Sequence, residues 1–134
     1  MNINLPKGGM VIGVGIDIIE VARVKGVHER HGDRFLNRIL TKEERDYCFA
    51  MKNPYPHIAA RFAAKEAVSK AFSTGIGGHL KWTSISVYKG DRQQTLVRLD
   101  DMGQELLRMV GGTDVLLSLS HTQESACCVA LVVK

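Results

Sequence analysis

Between Ile58 and Phe72 the chain reads IAARFAAKEAVSKAF, and this stretch constrains the fold more than any other. Its Ala, Lys and Glu content favours a helix, and at about 100° per residue Ala60, Ala63, Ala64, Ala67, Val68 and Ala71 fall on one side. A face made of such small side chains is expected to pack closely on another element. Gly75 sits just past the helix end, where a C′ residue belongs, and opens the loop Gly75-Ile-Gly-Gly-His79.

Upstream, Met10-Val-Ile-Gly-Val-Gly-Ile-Asp-Ile18 is a short β-branched apolar run that predicts a buried strand over about 10–17, with Gly13 and Gly15 leaving room for another backbone. Asp17-Ile-Ile-Glu20 then has capping-box spacing, so a first helix is expected to start beside Asp17 and continue toward Phe35, broken or loosened near Gly26 and Gly32. Thr41-Lys-Glu-Glu44 repeats the cap signal and predicts a short helix through Met51, closed by the turn residues Asn53-Pro54-Tyr55-Pro56. Beyond Trp82 the texture becomes alternating and β-rich. Strands are expected over 84–88, 95–99, 115–120 and 125–133, with a helix over 101–110 and a turn at His121-Thr-Gln-Glu124. With helices mostly preceding strands and no repeats, the reading is one α+β domain over residues 10–134, helices packed on a small antiparallel sheet. Residues 1–9 are expected to be an extension ahead of it.

A chain of 134 residues, 45% hydrophobic and 24% charged, suits one ordinary globular domain, and no apolar run approaches the roughly 18 residues that cross a bilayer. The first ten residues lack the apolar core of a signal peptide, which favours the cytoplasm. Cys48, Cys127 and Cys128 have no CxxC spacing and are expected to be buried free thiols, the last two on opposite faces of a strand. A formal charge of +4 permits an acidic partner but does not demand nucleic acid, and aromatics at 6% provide no base-stacking strand.

Four features can carry chemistry: Asp17 at a strand end, Lys65-Glu66 with Lys70 on the long helix, the glycine-rich loop that follows, and Ser118-Leu-Ser-His-Thr122. Taken singly, each has a structural explanation. Asp17 suits an N-cap, Glu66 and Lys70 an i,i+4 surface pair, the loop a helix stop, and His121 a turn. Taken together they suit phosphate chemistry. Carboxylates on two rigid elements can hold Mg²⁺, which takes one or two protein carboxylates and fills its other positions with water and substrate phosphate. A lysine one turn from Glu66 reaches the same phosphates, and glycine amides approach them unobstructed.

Gly13-Val-Gly-Ile-Asp17, followed by Phe62-Ala-Ala-Lys-Glu-Ala-Val-Ser-Lys70, resembles the two-part signature of the 4′-phosphopantetheinyl transferases. Arg38-Ile-Leu-Thr-Lys-Glu43, Phe72-Ser-Thr-Gly-Ile-Gly77 and Ser118-Leu-Ser-His-Thr122 are similar to its short bacterial acyl-carrier-protein synthase branch. The resemblance implies transfer of 4′-phosphopantetheine from coenzyme A to a serine of apo-acyl carrier protein, releasing 3′,5′-ADP, in fatty acid biosynthesis. It implies that Asp17 and Glu66 bind Mg²⁺, that Lys70 contacts the coenzyme phosphates and protonates the leaving group, and that His121 lies against the nucleotide. Lys65, Thr74, Gly75, Gly77 and Thr122 are expected near the coenzyme too. The base that deprotonates the serine stays open between Glu66 and a metal-bound water.

The resemblance further implies that the first helix docks the acidic carrier, through Arg23, Arg30 and Arg34. It also implies a homotrimer with sites at subunit interfaces, Asp17 and Glu66 from one copy facing His121 of the next. A non-catalytic module that only binds coenzyme A or a nucleotide is the rival reading, and a small RNA-binding domain the weaker one.

Overall fold

The computed structural model describes residues 9–134; the expected N-terminal extension lies, but for Gly9, outside them. In order, the elements are β1 (Val11–Glu20), α1 (Val21–His31), α2 (Asp33–Ile39), α3 (Lys42–Phe49), α4 (Tyr55–Ala71), β2 (Ile85–Lys89), β3 (Thr95–Leu99), α5 (Asp101–Met109), β4 (Asp114–His121) and β5 (Ser125–Val133). The expected α+β layout holds, with the strands divided into two antiparallel sheets. One is three-stranded in the order β1-β5-β4, and the other is the β2-β3 hairpin.

The alanine face of α4 and the glycines of β1 turn out to be partners. A Cβ placed on Gly15 would lie 2.0 Å from the carbonyl oxygen of Ala67, and one on Gly13 would lie 2.0 Å from that of Ala71. Helix α4 therefore crosses β1 at a distance that only glycine permits. The rest of its buried face, including Ala60, Ala63 and Ala64, meets a sheet in which β5 presents Ala126, Cys128 and Ala130. Small residues on both sides bring helix and sheet close enough to exclude water.

Where the first helix begins is a correction. Strand β1 does not stop at Asp17 but continues to Glu20, pairing Asp17 with Cys128, Ile18 with Cys127, Ile19 with Ala126 and Glu20 with Ser125. The β-branched run Ile16 to Ile19 outweighs the capping spacing. Asp17 is thus not an N-cap; α1 starts at Val21, whose N–H donates to the Glu124 carbonyl at 2.8 Å. The break at Gly32 is present, with φ of 64° between α1 and α2, whereas Gly26 stays within α1.

Two other boundaries shift. Helix α4 starts at Tyr55, because Pro56 in the first turn has no N–H to lose and is preset for helix. At its far end the left-handed residue that closes the helix is Ser73, φ 63°, and Gly75, φ 67°, is left-handed two residues further into the loop. Ser73 N–H bonds the Lys70 carbonyl at 2.9 Å and Thr74 N–H that of Ser69 at 3.2 Å, the pairing of a Schellman end. The Thr41–Glu44 capping box is present as expected.

Gly15→Ala forces a methyl onto the α4 backbone. It is expected to destabilise the fold by about 3 kcal/mol, the upper range for overpacking, because backbone cannot swing aside. Urea denaturation followed by far-UV circular dichroism checks this.

Candidate active site

The crossing of β1 and α4 brings three of the expected residues together. Asp17 is held on β1 between Gly15 and Ile19 and is largely covered, with 17% of its side chain exposed. Lys70, on α4, reaches across with Nζ 3.0 Å from Asp17 Oδ1 and donates to the Ile16 carbonyl at 2.9 Å. The surface pair expected between Glu66 and Lys70 does not form, since Lys70 pairs with Asp17 instead. Glu66 is half-buried beside them, and among the described residues its carboxylate accepts no hydrogen bond. Burial first, then the Asp17 charge, push its pKa above the ordinary carboxylate value, with Lys70 opposing.

Two neighbouring carboxylates, one of them without a hydrogen-bond donor, are a hard-oxygen donor set that suits Mg²⁺. Among the described residues no group of three or more His, Cys, Asp or Glu gathers to form a closed cage. This also fits an ion that draws its remaining ligands from water and phosphate.

Lys65 is not in this cluster, which corrects the expectation that it faces the coenzyme. Its side chain is fully buried, and Nζ donates to Glu44 Oε1 at 2.6 Å, to the Trp82 carbonyl at 2.9 Å and to the Ile85 carbonyl at 2.7 Å. All three ammonium donors are satisfied inside the protein. Glu44 Oε2 accepts from Val87 N–H at 2.9 Å, so the pair ties α4 to α3 and β2. The capping spacing located Glu44, but nothing local in sequence marks it as the partner of a residue 21 positions away.

The loop after α4 also differs from the phosphate cradle expected of it. The amides of Thr74 and Gly75 both donate to the Ser69 carbonyl at 3.2 Å, and that of Gly77 to Leu80 at 2.9 Å. These three N–H groups finish the helix and the loop. What the loop offers is open space, with nothing within 4 Å of a Cβ at Gly75, Gly77 or Gly78, and the exposed Thr74 hydroxyl.

His121 ends β4, at the opposite edge of the sheet from Asp17. Its ring packs edge-on against His57 with centroids 5.0 Å apart, beside a hollow of about 390 Å³ that Lys52, Asn53 and Thr122 also line. The Thr122 hydroxyl accepts from Glu124 and Ser125 N–H groups and so shapes the turn. Two residues the sequence reading missed border this region. Burial, then His121, Arg61 and Lys89, hold the His57 pKa below its ordinary value. Arg61, nearly buried and stacked 4.2 Å over Tyr47, has the one buried side-chain polar atom without a partner among the described residues, Nε. An arginine inside an alanine-rich helix was the available signal. The buried thiols take no part: Cys48 is pushed up to about 11 and Cys128 to about 12, chiefly by burial.

Arg23, Arg30 and Arg34 are exposed on α1 and α2, and none is in an ion pair among the described residues. Arg34 joins Val27, His31, Phe35 and Arg38 around a hollow of about 350 Å³.

The family model of the 4′-phosphopantetheinyl transferase superfamily matches residues 13–130. The chain belongs to that superfamily. Within it, the holo-[acyl-carrier-protein] synthase of Chlamydia trachomatis is 50% identical over 121 residues, spanning 90% of this chain and 98% of the relative. The crystal structure of the Neisseria meningitidis synthase superposes with a TM-score of 0.88 at 30% identity, covering 93% of this chain and all of that one. The Helicobacter pylori synthase, solved in complex with coenzyme A, gives 0.79 at 33% identity over 89% of this chain and 98% of that one. The chain is an enzyme of this holo-[acyl-carrier-protein] synthase type.

Buried with its three donors satisfied, Lys65 is expected to be structural. Lys65→Met strands the Glu44 charge and should cost about 3–5 kcal/mol of stability, and adding Glu44→Gln should recover part of it. A double-mutant cycle in urea checks both.

Proposed function

We propose that this protein transfers 4′-phosphopantetheine from coenzyme A to a serine of apo-acyl carrier protein, with Mg²⁺, releasing 3′,5′-ADP for fatty acid biosynthesis in the cytoplasm. The observation that carries it is the Asp17–Glu66–Lys70 cluster, built by a glycine crossing within a chain of this family. No helix among the described residues is long and apolar enough to cross a membrane.

Asp17 and Glu66 would hold the metal, which when bound neutralises the diphosphate. The chain's own residues supply the rest. Lys70 carries a positive charge and proton donors on a half-exposed stem, so it can follow the leaving phosphate and offset the charge that develops there. Glu66, whose carboxylate accepts no hydrogen bond among the described residues, or a water held by the metal would take the serine proton. At the other sheet edge the imidazoles of His121 and His57, with the Arg61 guanidinium bonded to the His57 carbonyl beside them, supply ring nitrogens and one fixed positive charge for the nucleotide end. The exposed Arg23, Arg30 and Arg34 suit an acidic carrier, and the hollow beside Phe35 an apolar side chain of that partner.

Incubation with apo-acyl carrier protein, coenzyme A and Mg²⁺ should add a phosphopantetheine mass to the carrier, lost with EDTA. Asp17→Asn, Glu66→Gln and Lys70→Ala should each slow the adduct by about 10²-fold or more. Absence of an adduct across several carriers would favour the binding-module reading.

We also propose a homotrimer. Asp17 and His121 lie on opposite edges of one sheet, so one copy does not bring them together. The sheet face away from α4 exposes Val14, Ile16 and Ile18 at 63%, 67% and 71%. Apolar side chains that bare are accounted for by burial against another copy. Mixing inactive Asp17→Ala and His121→Ala chains should therefore restore activity. None in proven mixed oligomers would refute the shared site.

A further inference from the structure

Lys70 contacts the very carboxylate that the metal needs. Its Nζ is 3.0 Å from Asp17 Oδ1, although Glu66 lies one turn away on the same helix. The crossing dictates this choice. The Lys70 Cβ lies only 2.9 Å from where a Cβ on Gly15 would stand, so the stem leaves α4 already above β1. A second hydrogen bond, to the Ile16 carbonyl at 2.9 Å, fixes the ammonium there.

An ammonium and a divalent cation cannot share one carboxylate oxygen without like-charge repulsion. We propose that Lys70 and the metal compete for Asp17, and that the coenzyme diphosphate resolves the competition by drawing the ammonium onto phosphate. This rests on the reading of Asp17 and Glu66 as the metal pair. The lysine is the partner able to move: its side chain is 50% exposed on a flexible stem, whereas Asp17 is 17% exposed on a paired strand. Protein without coenzyme then holds divalent metal weakly. Coenzyme and metal bind with positive coupling, and reciprocity makes each raise the other's affinity by the same factor. Lys70 gates metal entry as well as meeting the phosphates.

The test is Mn²⁺ titration of chelator-stripped full-length protein at low ionic strength, read by electron paramagnetic resonance of free Mn²⁺, with and without coenzyme A. Without coenzyme, Lys70→Met is expected to bind Mn²⁺ about tenfold more tightly than wild type, on the scale of ordinary site-to-site coupling. Lys70→Arg, which keeps the charge, should stay near wild type. Coenzyme A should tighten Mn²⁺ binding more in wild type than in Lys70→Met. Lys42→Met, which removes an exposed lysine paired with Asp46 on α3, should change nothing. The competition is overturned if Lys70→Met binds Mn²⁺ no more tightly than wild type, or if Lys70→Arg or Lys42→Met tightens it equally. If no form binds Mn²⁺ even with coenzyme A, the metal pair itself is refuted and the competition with it.

Discussion

Everything at this site depends on how closely α4 lies on β1. Two glycines facing the Ala67 and Ala71 carbonyls remove the side-chain layer that normally separates helix from sheet. Without that approach a lysine on α4 would not reach a strand carbonyl and a strand carboxylate at once, as Lys70 does. The cost is a contact with no tolerance, since the opposing atoms are backbone. Stability and the placement of Lys70 against Asp17 thus rest on the same few atoms, and the glycine signature belongs to both.

The adjacent residues Lys65 and Glu66 divide between these two demands. Successive side chains on a helix point about 100° apart, so one faces the protein and the other the β1 edge. Lys65 is buried with its three donors spent on Glu44, Trp82 and Ile85, and this locks α4 against α3 and β2. Such a pair contributes little net stability but strongly penalises misplacement, because either charge alone is costly to bury. Rotation of α4 about its axis cannot move Glu66 without breaking these bonds. The buried pair therefore sets the azimuth at which Glu66 and Lys70 emerge.

Much of this was legible in sequence where the signal is local. The alanine stripe, the Thr41 capping box and the strands over 95–99 and 125–133 follow from periodicity and turn chemistry. Asp17, Glu66 and Lys70 were identified by ordered motifs, although spacing alone favoured a cap and a helix ion pair. The errors have non-local causes. Asp17 reads as a cap because the pairing of β1 with β5, more than a hundred residues on, is invisible locally. The resemblance puts Lys65 near the coenzyme, and the partners that consume its donors, on α3 and around β2, leave no local mark against that. The loop glycines read as a cradle because the acceptors of their amides, Ser69 for Gly75 and Leu80 for Gly77, are set only by how the helix end and the loop fold.

The sheet order also bears on how copies of the chain could assemble. Strands β1 and β4 are the two edges, with β5 between them, so the Asp17 cluster and His121 lie on opposite edges of the sheet. Joining the first edge of one copy to the second edge of another matches unlike surfaces, which is head-to-tail contact. Repeated contacts of that kind leave an unsatisfied edge at each end unless rotation closes the ring. A closed ring leaves no such edge and gives every copy one complete site. The apolar residues of β1 that point away from α4 could then turn toward the ring's interior, where their burial would supply the driving force. On this reading the strand that carries Asp17 serves catalysis on one face and assembly on the other.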